Sequence, residues 1–139
     1  MQAFTDVVLL AGGTGVTPMF QIASAALNNP SNKSRFIILS FSKNEHDICM
    51  HEDLIELQRK HSASLTVTFF ASQLSASAEE GVTSGSMRSF SSQQLLDCVG
   101  SFPAETTVFC MCGPRDWMAT ARALLEQGSV PSRCIHAWL

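Results

Sequence analysis

Short apolar runs rich in β-branched and aromatic residues alternate with helical patterns along the whole chain, and this alternation restricts the fold more than any other feature. The first run, Val7-Val8-Leu9-Leu10-Ala11, ends in a glycine cluster. Thr17-Pro18 then predicts a helix start, with Thr17 as N-cap and Pro18 at the first helical position, and Asn28-Asn29-Pro30 predicts its end. Phe36-Ile37-Ile38-Leu39-Ser40-Phe41 is nearly continuous in apolar residues, as strands buried on both faces are. A helix from about Glu52 to His61 places Leu54, Leu57 and His61 on one face. Its first turn carries Glu52 and Asp53, its last Arg59 and Lys60, and Glu56 stands four residues before Lys60 in the favourable order for an ion pair. A third strand covers Leu65 to Ala71. The Ser-, Ala- and Gly-rich stretch from Ser72 to Ser92 reads as surface loop with one short helical piece after Ser84. A helix from about Ser92 to Val99, a strand from Thr107 to Cys112, a helix from Gly113-Pro114 to about Gln127 and a last strand from Cys134 to Trp138 complete the chain.

Five strands alternating with helices predict an α/β fold, a doubly wound open parallel five-stranded sheet with helices on both faces. At 139 residues the chain reads as one domain, residues 1–139, with no linker or internal repeat to divide it. Hydrophobic residues make up 45% and charged residues 15%, which excludes a disordered chain. A net charge of -3 argues against nucleic acid as partner, because phosphate binding needs a basic face. No apolar run approaches the ~20 residues of a membrane span, and the N-terminus lacks the pattern of a signal peptide, so a soluble intracellular domain is expected. Cys49, Cys98, Cys110, Cys112 and Cys134 show no C-x-x-C spacing, and His46, His51, His61 and His136 show no ligand spacing; no metal site is expected. Cys110 and Cys112 alternate along one strand and so share a face.

In open parallel sheets ligands bind beyond the carboxyl ends of the strands, where strand order reverses. Two glycine turns occupy that edge. Gly12-Gly13-Thr14-Gly15-Val16-Thr17-Pro18-Met19 lacks the Lys-Ser/Thr of a P-loop and fails G-x-G-x-x-G, since the sixth position from Gly13 is Pro18. It remains a tight turn delivering a helix N-terminus, suited to a diphosphate. Met111-Cys112-Gly113-Pro114-Arg115-Asp116-Trp117 follows the strand from Thr107 at the same edge.

Taken together, the two turns, about a hundred residues apart, resemble the pyridine-nucleotide domain of the ferredoxin–NADP reductase superfamily, and its cytochrome b5 reductase branch most nearly. The resemblance covers essentially the whole chain, including Asn44-Glu45-His46-Asp47-Ile48, Glu56 to His61 and Val130-Pro131-Ser132-Arg133-Cys134. The closing Ile135-His136-Ala137-Trp138-Leu139 looks more like the fused cytochrome b5/b5 reductase oxidoreductases than the simple reductases, which end on Phe. The resemblance implies hydride transfer from NADH or NADPH to FAD, then single-electron transfer to a haem protein such as cytochrome b5, in the cytoplasm or at the cytosolic face of the endoplasmic reticulum. It implies that Gly13, Thr14 and Gly15 approach the diphosphate and that Thr17, Pro18 and Met19 lie where nicotinamide meets flavin. Cys112 is implied beside the nicotinamide in a positioning role, with Gly113, Pro114 and Arg115 completing the cofactor site. Ferric reductases and oxygenase reductase components share both turns. A non-catalytic doubly wound binding module is the reading from another class, and it predicts no affinity for ADP-ribose compounds.

Three departures from the family stand out. Nothing here matches the family's FAD-binding β-barrel, so that domain of the same polypeptide is expected outside this chain, and the isolated domain is expected to bind nucleotide weakly and to be inactive. Where simple b5 reductases carry an acidic residue after the third strand, this chain has Ser72 followed by Gln73. An acid accepts from the ribose 2′-hydroxyl and repels a 2′-phosphate; a neutral serine removes that repulsion. NADP-using relatives have Ser then Arg, so dual use of NADH and NADPH is expected, with Lys43 or Arg115 as source of the missing positive charge. Arg115-Asp116-Trp117 stands where b5 reductases show prolines and then Met; Trp117 either packs under the nucleotide or in the core, and core packing is the expectation.

Overall fold

The computed structural model describes residues 4–74 and 81–138. Six parallel strands form one sheet: β1 (Asp6–Gly12), β2 (Arg35–Asn44), β3 (Leu65–Gln73), β4 (Val82–Ser84), β5 (Thr107–Cys112) and β6 (Ile135–Ala137), in the order β4-β3-β2-β1-β5-β6. The chain winds outward from β1 to β4 on one side, then returns to place β5 and β6 on the other. Strand order therefore reverses at β1/β5.

The strands' two faces are both apolar, and each is covered. Along β1, Val8 and Leu10 point into one core cluster with Leu95 and Val99 of α3 (Ser92–Val99) and Met118, Ala121 and Leu125 of α4 (Arg115–Gln127). Leu9 and Ala11 point into the other, with Val16, Met19, Ala23 and Leu27 of α1 (Val16–Leu27) and Leu54 and Leu57 of α2 (His51–Lys60). Cys110 and Cys112 both pack on the α1/α2 side, as their alternation requires. Val8, Leu9, Leu10 and Ala11 are all fully buried, which is why β1 reads as an unbroken apolar run. At the opposite, amino end of the sheet Asp6 is buried but paired: Arg35 donates to its Oδ1 from Nε at 2.9 Å, and Thr5 donates to Oδ2 at 3.0 Å, fixing the β1/β2 register.

The sheet has six strands rather than five. The additional strand, β4, has three residues, all partly or fully exposed, and pairs with β3 at the sheet edge; Val-Thr-Ser carries no apolar alternation to betray it. The helical piece expected after Ser84 is instead a turn at Met87–Ser89, closed by the Ser86 and Ser89 hydroxyls bonding to one another's backbone. Residues 75–80 of the expected surface loop lie outside the described residues. β3 runs on to Gln73, so Ser72 and Gln73 end the strand rather than follow it. α1 starts at Val16, with Gly15 and not Thr17 as N-cap, because a single 3₁₀ turn at Gly13–Gly15 leads straight into it. Pro18, third in the helix, costs no hydrogen bond there, since first-turn N–H groups have no intrahelical acceptor. Glu56 pairs with Arg59, at 3.0 Å from Nε, rather than with Lys60. The last strand is shortened by a 3₁₀ turn at Ser132–Cys134.

Gly15 is the most crowded of the described glycines. A Cβ built there would lie 2.1 Å from the Cys112 carbonyl oxygen and 3.0 Å from the Gly113 nitrogen. Gly15→Ala is therefore expected to lower stability in urea unfolding by about 3 kcal/mol or more, since backbone cannot yield as a side chain can. Gly13, at φ +59° with nothing within 4 Å of a Cβ, should lose only about 1 kcal/mol as alanine. Equal losses at the two positions would contradict this packing.

Candidate functional site

The two glycine turns meet at the β1/β5 reversal. Gly15 abuts the Cys112 carbonyl, and a Cβ on Gly113 would stand 3.2 Å from the Gly12 Cα, so the turns touch backbone to backbone. The N-termini of α1 and α4 both open here. Their N-cap positions, Gly15 and Pro114, supply no side-chain acceptor, so two positive helix ends face this edge; within the first turn of α1 the Val16 N–H donates to the Gly13 carbonyl and Pro18 has no N–H. Gly13 and Thr14 are exposed on this edge, Thr17 is exposed as the second residue of α1, and Pro18 is half-buried. Met19 is not available to a ligand: it has no exposed surface and packs beneath α1 in the core.

Beside the turns lies a cleft of about 240 Å³, lined by Gly12, Gly13, Phe41, Ser42, Lys43, Ser72, Ser86, Met87, Arg88, Pro114 and Trp117. It brings the first glycine turn, the end of β2, the end of β3, the segment after β4 and the start of α4 to one place. Its lining has two cations, Lys43 and Arg88, and no carboxylate. Both cations are exposed, and neither forms an ion pair among the described residues. Phe41 and Trp117 give it an aromatic floor, with ring centroids 5.8 Å apart and edge to face. Ser72 donates its hydroxyl proton to the Lys43 carbonyl at 3.0 Å, so the oxygen presents lone pairs to the cleft. A larger groove of about 500 Å³ continues from Gly13, Thr14 and Lys43 over the end of β2. A still larger cavity, about 570 Å³, is lined by Glu45, Glu52 and Asp53 with His46 and His51. Three carboxylates make it unsuitable for a diphosphate, so charge, and not volume, selects the smaller cleft.

Of the residues singled out in the sequence, Gly13, Ser72 and Pro114 line the cleft, Thr14 extends it, and Gly15 and Gly113 build its corner. Gln73 and Arg115 are exposed and line no cavity with them. Of the two expected cations, Lys43 lines the cleft and Arg115 does not. Arg88 is a second one that sequence reading missed; it sits in a Ser- and Gly-rich segment with no motif, and only β4 and the Ser86–Ser89 turn bring it to the cleft. Cys112 is half-buried on the α1/α2 face, and burial pushes its thiol above its ordinary value. Among the described residues no group of His, Cys, Asp and Glu is placed to hold a metal ion, and no helix is long and apolar enough to cross a membrane.

A family model described as an oxidoreductase NAD-binding domain matches residues 9–123, a span that includes both glycine turns and the cleft. The chain belongs to that family. Among curated relatives, NADH-cytochrome b5 reductase 1 of Dictyostelium discoideum is 34% identical over 106 residues, covering 76% of this chain and 35% of that protein. NADH-cytochrome b5 reductase 1 of Mycosarcoma maydis is 34% identical over 118 residues, covering 85% and 35%. The cytochrome b5 reductase domain of Ulva prolifera nitrate reductase shares the fold, with a TM-score of 0.85 at 21% identity over 97% of this chain and 49% of that one. The CS-b5R domains of human Ncb5or, in the NAD+ form, superpose at 0.81 with 27% identity over 98% of this chain and 37% of theirs. This NAD-binding domain thus spans about a third of the length of the curated relatives it matches.

A raised thiol pKa means a smaller thiolate fraction at any pH below it, and the thiolate is the reactive form. Cys112 should therefore alkylate more slowly with iodoacetamide at pH 8 than free cysteine, whose pKa is about 8.5, and accelerate only at higher pH. Peptide mapping reads this directly; alkylation of Cys112 faster than free cysteine would mean an activated nucleophile instead of a positioning group.

Proposed function

We propose that this chain is the pyridine-nucleotide-binding domain of a flavin-dependent NAD(P)H reductase of the cytochrome b5 reductase kind. The observation that carries the reading is the contact of the two glycine turns at the sheet reversal, with a carboxylate-free cleft holding Lys43 and Arg88 beside it. When bound, the nicotinamide would supply a hydride to FAD, whose electrons pass singly to a haem protein such as cytochrome b5. The FAD is assigned to a flavin domain of the same polypeptide, and the protein to the cytoplasm or the cytosolic face of the endoplasmic reticulum. The names of the relatives support the acceptor.

This chain's own residues bind and orient. The positive end of α1, reached through Gly13, Thr14 and Gly15, suits the diphosphate. Thr17 and Cys112 flank the corner where the turns meet, and the protonated thiol offers a neutral surface there instead of a charge. Phe41 and Trp117 offer flat apolar surface to a base. Ser72 accepts from a ribose 2′-hydroxyl without rearrangement. A 2′-phosphate would require its proton to swing away from the Lys43 carbonyl, with Lys43 and Arg88 supplying the countercharge. Both NADH and NADPH are thus accommodated.

Calorimetric titration with ADP-ribose and with 2′-phospho-ADP-ribose tests this. Both should bind, the phosphorylated ligand at least as tightly at low salt and more weakly as salt rises. Arg88→Ala and Lys43→Ala should each weaken the phosphorylated ligand about tenfold and plain ADP-ribose far less. Failure of the folded chain to bind either ligand at millimolar concentration would overturn the nucleotide reading. A clear preference for plain ADP-ribose would leave it standing and remove NADPH.

A further inference from the structure

We infer that Trp117 is the positioning residue of this cleft: one part of its indole holds both glycine turns at a fixed spacing, and the rest is the wall against which the ligand's base lies. The inference rests on the nucleotide reading above. Trp117 is the third residue of α4 and is half-buried. A Cβ on Gly12 would stand 2.7 Å from its Cδ2, and one on Gly113 would stand 2.7 Å from its Cε3. The same ring therefore rests on the last residue of β1 and the first residue after β5. Neither glycine has a side chain with which to fill the space if the ring were smaller. The indole is itself held edge to face by Phe41 of β2, which stacks on Phe70 of β3 with centroids 4.8 Å apart and planes 16° from parallel. Four strands thus bear on the orientation of one side chain.

Its free surface lines the cleft together with Lys43, Ser72 and Arg88. The indole N–H has no acceptor among the described residues, and no buried side-chain nitrogen or oxygen lacks a partner, so that end of the ring is accessible. A planar aromatic with one buried face and an accessible polar end is suited to cover a base and stay wetted at its rim. A residue that only filled the core would be enclosed on all sides. A long aliphatic side chain in its place could fill the volume but would not present a flat surface to a base.

The test uses the chain with Trp138→Phe, which leaves Trp117 as its single tryptophan, and ADP-ribose as the probe. Saturating ADP-ribose is expected to lower the acrylamide quenching constant of Trp117 at least about twofold, because a pocket of this kind covers most of its ligand's contact surface. Trp117→Phe should keep ADP-ribose affinity within about threefold, whereas Trp117→Met should lose about tenfold, the margin of a lost aromatic contact. Unchanged quenching at saturation would overturn the inference, and so would a Trp117→Met chain that melts lower but binds with undiminished affinity well below its Tm; either result makes the ring a brace only. Should Trp117→Met fail to fold, quenching in the single-tryptophan chain and the affinity of Trp117→Phe still decide. Loss of all ADP-ribose binding by the unmodified chain would remove the nucleotide reading and this inference together, whereas binding with Trp117 unprotected removes this inference alone.

Discussion

Everything at the carboxyl edge of this sheet depends on two backbones being able to touch. The turn after β1 and the turn after β5 belong to neighbouring parallel strands, and parallel strands lie only about 4.8 Å apart. Two ordinary turns leaving adjacent strands would collide or splay. Here Gly15 lets the α1 entry settle on the Cys112 carbonyl, and Gly12 and Gly113 let an indole lie across both. The helix ends are brought together because side chains are missing, and the cleft exists because the turns can be this close. Charge sets it apart from its neighbour, since Glu45, Glu52 and Asp53 line the cavity at the start of α2 while Lys43 and Arg88 line the cleft at the glycines.

The strands were legible in the sequence wherever burial was two-sided. β1, β2, β3 and β5 announce themselves as apolar runs because α1 and α2 cover one face and α3 and α4 the other. β4 was not legible, because an edge strand of three residues is held by backbone hydrogen bonds, to which Val82, Thr83 and Ser84 contribute no pattern. The start of α1 was misplaced for a related reason. Thr17-Pro18 carries the usual signs of a helix start, yet the 3₁₀ turn at Gly13–Gly15 had already begun winding the chain, and glycines leave no side-chain signature of doing so.

The site was half legible. Both glycine turns were visible as motifs, and Ser72 as a departure at a meaningful place. Arg88 was invisible because its position depends on β4 and on a turn closed by two serines, both set by tertiary pairing. Met19 shows the converse. It belongs to the motif by sequence, but its place on α1 faces the core, so the helical period outweighs adjacency to the glycines. Trp117 was legible as either core or nucleotide packing; what the sequence hid is that one ring lies against both Gly12 and Gly113, residues about a hundred positions apart.

The contact between Gly15 and Cys112 also has a meaning in time. It joins residues from the first and last quarters of the chain, with three strands and three helices between them. Loop-closure entropy makes such a contact late, and β1 spends synthesis with one flank open until β5 arrives. A nascent chain that has made β1, α1, β2, α2 and β3 already has its glycine turn, yet not the second turn that completes the corner. The site is consequently absent from any chain that stops short of the second turn. Whatever binds there stabilises only chains in which β5 has joined β1, since the ligand adds its binding free energy to contacts that earlier lengths of chain cannot form.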